Sequence, residues 1–291
     1  MKQIQGVLTA MATPFDEAGA IDLDAGRRLA THLLEHGSHG LIIAGSTGEG
    51  ATLTDGETIE LLQAVRKEVG DDVLLIVGTG TNDTRHSCEL TRMAADASAD
   101  ASLVVVPYYN KPNRAGIRAH FETVAAAVPD LPMVMYNIPS RVIINADVEL
   151  LGELAAVDNI VAVKQANDDE LGPIEGLAVL AGNDNTFLRV LEFGGAGVIG
   201  VATHVVGDQM RAMWDAAQEN DLNRAREIDA ELAPIYRDLF VTTNPIPLKA
   251  ALEMLGLAPD RLRLPLVSAD PDERAAVRAA LEGVGLSVAA G

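Results

Sequence analysis

Short apolar runs recur along the chain and alternate with stretches whose apolar residues are spaced as on one face of a helix. There are eight such runs, in chain order GVLTAMATPF, GLIIAG, DVLLIVG, SLVVVPYY, LPMVMYN, NIVAVKQ, GLAVLAG and AGVIGVA. Continuous apolar runs are typical of strands that are buried on both faces, as in a parallel sheet. Because each of the first seven leads into a helical pattern, the sequence predicts an α/β fold, specifically a (β/α)8 TIM barrel.

The strand pattern stops after Trp214, and the remainder of the chain has a helical pattern. We therefore predict a catalytic barrel over residues 1–220 and a small helical region over residues 221–291. Such a division is compatible with a chain of 291 residues, 48% of them apolar, which is long enough to bury a large core.

A doubly wound open sheet is the alternative architecture. Gly195, Gly197 and Gly200 have the G-x-G-x-x-G spacing of dinucleotide-binding turns. That fingerprint requires a strand before the glycines and a helix after them, so that the phosphates meet the helix N-terminus. Here a helical pattern precedes the glycines and a strand pattern follows, which disfavours a nucleotide site.

Charge and cysteine content narrow the class of protein. A net charge of −20 argues against nucleic acid and anionic membranes as partners. No apolar run approaches the length of a membrane span, and the first residues lack the pattern of a signal peptide. The single cysteine, Cys88, excludes an intramolecular disulfide. We therefore predict a cytoplasmic location.

Candidate chemistry begins with Lys164, which ends the sixth apolar run. Catalytic groups of a barrel lie at the carboxyl ends of its strands. Burial of an unpaired ammonium is costly, and the neutral amine that burial favours is the nucleophile needed to attack a carbonyl carbon. From this run alone, a lysine that points into solvent is an equally good interpretation. The residues at the neighbouring strand ends decide between a nucleophilic lysine and a solvated one.

Those neighbouring ends carry phenols and a guanidinium. Three of the four tyrosines, Tyr108, Tyr109 and Tyr136, lie at the ends of the fourth and fifth runs, and a held phenol can relay protons. Arg141 follows Tyr136 by five residues, and its planar fork suits a carboxylate. Tyrosines that fill a core and an arginine on the surface are the alternatives.

Three further strand ends add polar and small groups. Ser46 and Thr47 lie between glycines after the second run, where hydroxyls and backbone N–H groups can bind a carboxylate. A flexible turn would explain the same residues. Gly182, the last residue of the seventh run, permits close approach to a ligand, and Asp184 is expected to cap the helix that follows. The eighth run brings Ile199 to the wall of the site.

Three histidines offer a possible metal site. His32 and His36 are four residues apart in a helical pattern, and His39 follows. They precede the second run, however, and so belong to the opposite face of the predicted barrel. We predict that they are structural or solvated and that the protein has no metal site.

Taken together, these motifs carry a family resemblance. In order and spacing, GSTGE, PYYNKP, YNIPSR, VKQA, AGND, GVIGV and NPIPLKAALEMLG resemble the pyruvate-dependent class I aldolase family of dihydrodipicolinate synthase and N-acetylneuraminate lyase. The resemblance covers nearly the whole chain. Arg141 directly after IPS and the segment NPIPLK are similar to the synthase branch. Ser46, where synthases often have threonine, and Gln165, in QAND instead of EATG, depart from that branch.

The resemblance implies roles for the catalytic residues. It implies that Lys164 forms a Schiff base with pyruvate and that Tyr136 donates and accepts the protons. Ser46 and Tyr109 would complete the proton relay, with Tyr109 reaching in from a neighbouring subunit of a homotetramer built as a dimer of dimers. Because an iminium is itself an electron sink, we expect no metal and no organic cofactor.

The resemblance also implies how substrates are held. Thr47 and the backbone at Ile199 would hold pyruvate, with Gly182 beside them, and Arg141 would bind the carboxylate of L-aspartate 4-semialdehyde. The implied reaction belongs to diaminopimelate and lysine biosynthesis. Two alternatives stay open: a pyruvate-dependent aldolase or lyase for a sugar acid or hydroxylated 2-oxo acid, and a non-catalytic sensor of 2-oxo acids.

Feedback by lysine is a separate expectation. Asn82 and Tyr108 match positions of the allosteric site in the family that the sequence resembles. The remaining polar set of that site is not reproduced, since the chain has Ala51, Asp55, Thr58 and His86 there. We therefore predict weak or absent inhibition by lysine.

Overall fold

A computed structural model describes residues 2–288 and shows a closed barrel of parallel strands. The eight strands pair in chain order and β8 pairs with β1, where Gly197 lies opposite Gly6. The predicted (β/α)8 barrel is confirmed, and the open-sheet alternative is wrong. The strands are β1 Gly6–Ala10, β2 Gly40–Ile43, β3 Leu74–Gly78, β4 Ala101–Val105, β5 Met133–Asn137, β6 Ile160–Gln165, β7 Ala178–Ala181 and β8 Gly197–Gly200.

Helices surround the barrel and continue after the last strand. They are α1 Leu23–Glu35, α2 Asp55–Val69, α3 Thr84–Asp96, α4 Arg114–Ala127, α5 Pro139–Val142, α6 Val148–Leu154, α7 Phe187–Glu192, α8 Thr203–Gln218, α9 Leu222–Asp238, α10 Ile246–Met254 and α11 Pro271–Gly283. Helix α7 precedes the G-x-G-x-x-G glycines, and Gly197 and Gly200 belong to β8. A dinucleotide fingerprint needs the reverse order.

Local polar residues fix where the helices begin. Thr54 and Glu57 form a capping box at the start of α2, and the side chains of Asp83, Asn113 and Asp147 accept hydrogen bonds from first-turn N–H groups of α3, α4 and α6. Each such cap is worth about 1 kcal/mol. These caps lie directly after the barrel loops, so they also fix the loops that carry the strand-end residues.

A buried histidine joins the two strands that close the barrel. His204 Nε2 accepts the N–H of Ala12, which follows β1, at 3.1 Å. Its Nδ1 donates to the carbonyl of Val201, which follows β8, at 2.8 Å. These two bonds require the neutral ring with its proton on Nδ1. Burial lowers the pKa of His204 from 6.5 to about 4.

Acidification is therefore expected to destabilise the protein through His204. Its folded-state pKa lies below the unfolded value, so the stabilisation is complete above pH 6.5 and is lost as the pH falls towards 4. The loss amounts to about 3 kcal/mol in total. Urea unfolding at a series of pH values measures it. In the variant His204→Gln the pH dependence between 6.5 and 4 should become shallower by about one bound proton; an unchanged slope would contradict the assignment.

The helices after the barrel share its hydrophobic core. Ile228, Leu232 and Ile235 of α9 belong to the same cluster of buried residues as strand and helix residues of the barrel. Helix α9 begins at Leu222, but the division between residues 220 and 221 stays a prediction. Between residues 2 and 288, no helix is both long and apolar enough to cross a membrane.

Candidate active site

Strands β5 and β6 place a tyrosine and a lysine side by side at the carboxyl end of the barrel. Tyr136 and Lys164 are partners in the strand register, and Lys164 Nζ lies 4.4 Å from the centroid of the Tyr136 ring. Each residue is only 5% exposed. Lys164 therefore does not point into solvent, and the site presents an amine that is screened from water and faces a phenol.

An asparagine that sequence reasoning missed links two of the predicted binding residues. Asn244, just before α10, donates through Nδ2 to Thr47 Oγ1 at 3.0 Å. Its backbone carbonyl accepts a hydrogen bond from Arg141 Nη2 at 2.9 Å. Buried Thr47 and exposed Arg141 are thus held together through one residue. Its only signal in the sequence was its place in NPIPLK.

The other two residues of the expected relay are not joined to Tyr136 within one chain. Ser46 is exposed on the turn after β2, and Tyr109 is 85% exposed with a positive φ of 68°. Within residues 2–288 no hydrogen bond connects the hydroxyls of Ser46, Tyr109 and Tyr136. The structure of the single chain therefore brings Lys164 and Tyr136 together and leaves the relay unassembled.

Gly182 and Ile199 lie at the ends of β7 and β8. Gly182 donates its N–H to the carbonyl of Gln165 at 2.7 Å, and a Cβ on Gly182 would lie 2.6 Å from the Cβ of Ala166. Glycine is therefore required here because residue 182 packs closely against Gln165 and Ala166, which follow Lys164. Ile199 is fully buried and pairs with Leu8 across the barrel closure.

The prediction that Asp184 caps the helix after it is wrong. Its carboxylate instead accepts the N–H groups of Val201 at 2.9 Å and Ala202 at 3.2 Å, in the turn after β8. Complete burial raises the pKa of Asp184 to about 6, although these N–H groups and the Lys164 ammonium act in the opposite direction. A Cβ on Gly200 would lie 2.5 Å from Asp184 Oδ1, so the turn is built around this carboxylate.

A buried ion pair supports the turn that carries Ser46 and Thr47. Glu49, in that turn, pairs with Lys249 of α10, and both side chains are almost completely buried. Glu49 Oε2 also accepts the N–H of Arg263 at 3.0 Å. Burial lowers the pKa of Lys249 more than the Glu49 carboxylate raises it. Sequence reasoning missed the pair, whose signals were one glutamate in GSTGEG and one lysine in the apolar segment of α10.

The three histidines lie at the opposite end of the barrel. His39 Nδ1 accepts the N–H of Val7 at 3.0 Å, and His36 pairs with Asp208 at 2.8 Å. In the described part of the chain, no group of three or more histidine, cysteine, aspartate or glutamate side chains is arranged to hold a metal ion.

A closed (β/α)8 barrel with a buried amine and phenol at its carboxyl end has the general arrangement of an enzyme. The model of the dihydrodipicolinate synthetase family matches residues 3–284. The chain therefore belongs to that family, which confirms the resemblance seen in the motifs. Its members are lyase-type synthases.

Individual relatives agree over nearly the full length. The chain is 45% identical to the 4-hydroxy-tetrahydrodipicolinate synthase of Moorella thermoacetica, with 96% of this chain and 98% of the relative covered. It superposes on the dihydrodipicolinate synthase of Thermotoga maritima with a TM-score of 0.94 at 36% identity, covering 98% and 100% of the two chains. The lysine-bound enzyme of Cyanidioschyzon merolae gives a TM-score of 0.92 at 39% identity, covering 97% and 98%.

Proposed function

We propose that the protein condenses pyruvate with L-aspartate 4-semialdehyde to form 4-hydroxy-tetrahydrodipicolinate. The observation that carries this proposal is the buried Lys164 amine, 4.4 Å from the Tyr136 ring at the carboxyl end of the barrel. Membership of the family and the full-length similarity to named synthases support it. The proposal assigns the imine to Lys164 and the proton transfers to Tyr136.

The chemistry follows from the electron demand of an imine. The neutral amine of Lys164 attacks the C2 carbonyl of pyruvate, and loss of water gives an iminium. The iminium nitrogen accepts the electron pair when C3 loses a proton, which Tyr136 is placed to receive and return. The resulting enamine carbon attacks the aldehyde, whose oxygen takes up a proton. The amino group of the acceptor then displaces the lysine amine, which closes the ring and frees Lys164.

Both substrates carry a carboxylate, and the protein carries a net charge of −20, so these carboxylates need local partners. We assign pyruvate to the Thr47 hydroxyl and the backbone at Ile199, with Gly182 beside it. We assign the carboxylate of the semialdehyde to Arg141, whose fork can donate two parallel hydrogen bonds. Thr47 and Arg141 both bond with Asn244, which supports placing the two substrates next to each other.

An assay of the purified protein with pyruvate and L-aspartate 4-semialdehyde tests the function. Mass spectrometry should detect the cyclic product, and borohydride reduction with pyruvate alone should leave an adduct on the protein. An adduct together with turnover of a sugar-acid aldehyde in place of the semialdehyde would select the alternative aldolase. If the protein forms neither an adduct nor a product, the proposed mechanism is refuted. That result would agree with the alternative of a non-catalytic sensor.

We also propose that the active form is a homotetramer in which Tyr109 completes the site of a neighbouring copy. Tyr109 is a large aromatic residue with 85% of its surface exposed, and its positive φ of 68° is costly for a residue with a Cβ. Among residues 2–288, no hydrogen bond joins the hydroxyl of Ser46 or of Tyr136 to that of Tyr109. A phenol supplied by a partner would account for both observations.

Hybrid oligomers provide the test of Tyr109. Chains with Lys164→Arg and chains with Tyr109→Phe should each be nearly inactive alone. After unfolding and refolding together, mixed dimers hold one site with an intact Lys164 that receives Tyr109 from the other chain. Activity of the mixture should therefore rise well above that of both parents. A mixture no more active than its parents would show that Tyr109 acts within its own chain or not at all.

Lysine at millimolar concentration is expected to inhibit the protein weakly or not at all. Asp55 and His86 pair with each other at 2.9 Å, and Thr58 is buried, so these side chains are not free to bind an amino acid. The comparison enzyme is the relative from Cyanidioschyzon merolae, whose structure contains lysine. Initial rates with and without lysine, measured on both enzymes, decide the matter. Strong inhibition of this protein would contradict the expectation.

A further inference from the structure

The segment that carries Arg141 begins at the end of β5 and includes the short helix α5. Arg141 itself is exposed, and its side chain bonds with the carbonyl of Asn244. Ile143, two residues later, has a positive φ of 70° and ends α5 as its left-handed C-cap. The position of the guanidinium therefore depends on how residues 137–146 are fixed at their base.

A buried asparagine closes the base of this segment. Asn137 is fully buried at the end of β5, and its Oδ1 accepts the N–H of Ala146 at 3.1 Å. Its Nδ2 donates to Asn145 Oδ1 at 2.8 Å. One side chain thus joins the first residue of the segment to its last two, which converts a loop into a closed unit.

The same side chain attaches the segment to the strand of Lys164. Asn137 Nδ2 also donates to Gln165 Oε1 at 2.9 Å, and Gln165 directly follows Lys164. Asn167 donates its backbone N–H to the same oxygen at 3.1 Å and its Nδ2 to Asn145 Oδ1 at 3.2 Å. The base of the Arg141 segment and the end of β6 therefore share one set of hydrogen bonds.

The outer end of this network is anchored by a carboxylate. Asn145 Nδ2 donates to both oxygens of Glu170 at 2.9 and 3.0 Å. Hydrogen bonds to a charged acceptor are stronger than those between neutral groups. Asn145 thus bonds inward with the amides of Asn137 and Asn167 and outward with Glu170. Its removal detaches Glu170 and takes away one of the two side-chain links to β6, the other being the bond from Asn137 to Gln165.

We propose that the amide network of Asn137, Asn145 and Gln165 is a positioning device that sets Arg141 relative to Lys164, and so sets affinity for the acceptor carboxylate. This inference rests on the proposed function, in which Lys164 binds pyruvate and Arg141 binds the semialdehyde. None of the three amides is assigned contact with a substrate. Their effect is exerted through Arg141, and pyruvate binding should not depend on it.

Asn145→Ala is the informative variant, and Asn159→Ala is its matched control. Asn159 has the same side chain and similar partial burial, and its Nδ2 bonds with three carbonyls, of Ala125, Val128 and Leu131, at the opposite end of the barrel. Both variants should lose stability. Only Asn145→Ala should raise KM for the semialdehyde, by about tenfold, equivalent to about 1.4 kcal/mol. Its KM for pyruvate and its borohydride adduct should match wild type.

A double variant separates positioning from general damage. Since Asn145 acts through Arg141, adding Asn145→Ala to Arg141→Ala should raise KM no further. The inference is overturned if Asn145→Ala leaves KM for the semialdehyde unchanged, or if Asn159→Ala raises it equally. Wild-type protein is tested first: without a pyruvate adduct or turnover of the semialdehyde the proposed function itself fails, whereas an active wild type with an unaffected Asn145→Ala refutes only the network's role.

Discussion

Lys164→Arg is expected to lower kcat/KM for the condensation by at least about 10³-fold, equivalent to about 4 kcal/mol of transition-state free energy. Arginine keeps a positive charge in the barrel but has no amine that can form an imine, so the electron sink for deprotonation of pyruvate is lost. The measurement combines the rate assay with borohydride trapping. The peptide that contains residue 164 should carry the adduct in wild type and lack it in the variant.

The control for this variant is Lys67→Arg, at an exposed position on α2. It makes the same chemical change outside the site and should leave both the rate and the adduct unaffected. Trapping on a different lysine in wild type, for example Lys249, would show that the nucleophile is wrongly assigned. Activity of Lys164→Arg within tenfold of wild type would contradict the imine mechanism altogether.

Lys249→Met is expected to lower the free energy of unfolding by about 3–5 kcal/mol, because it leaves the Glu49 carboxylate buried without its partner. Lys249 Nζ also donates to the carbonyl of Arg261 at 2.6 Å and lies 4.2 Å from the Phe15 ring centroid, so the methionine loses polar contacts but keeps the apolar ones. Urea unfolding measures the change. The turn that carries Thr47 should loosen with it, so KM for pyruvate should rise as well.

Two further variants test whether the lost stability comes from the unpaired Glu49 charge or from the loss of a side chain in general. Adding Glu49→Gln to Lys249→Met removes the unpaired charge and should restore part of the lost stability, as a coupled pair requires. Arg211→Met breaks the exposed pair with Asp215 on α8 and should cost less than about 1 kcal/mol. A double variant as unstable as the sum of its two single variants would mean that the pair is not coupled.

The barrel could be predicted from the sequence because its evidence is local. Strands that are covered on both faces are continuous apolar runs, and eight of them with intervening helical patterns leave few architectures. The meeting of Tyr136 and Lys164 followed from the same reasoning, since consecutive parallel strands are neighbours and their carboxyl ends coincide. The order of helix and strand around Gly195 is also a local feature of the sequence, and it argued against a dinucleotide site.

The residues that sequence reasoning missed contact partners that are far away along the chain. Asn244 contacts Thr47 across 197 positions, and Lys249 contacts Glu49 across 200. Hydrophobic periodicity carries no information about such pairs. The role of Asp184 was predicted wrongly because aspartate is a preferred residue at helix N-caps, whereas here the turn after β8 supplies the N–H donors. That choice depends on how two strands lie in three dimensions.

Asn244 links Thr47 and Arg141, the two residues that we propose hold the substrates. Its side chain bonds with Thr47 and its backbone carbonyl with Arg141, so a shift of this residue changes both subsites at once. If pyruvate alters the affinity for the acceptor through Asn244, linkage requires that the acceptor alter the affinity for pyruvate by the same factor. Coupling of this kind would give an asparagine outside the covalent chemistry an equal influence on the binding of both substrates.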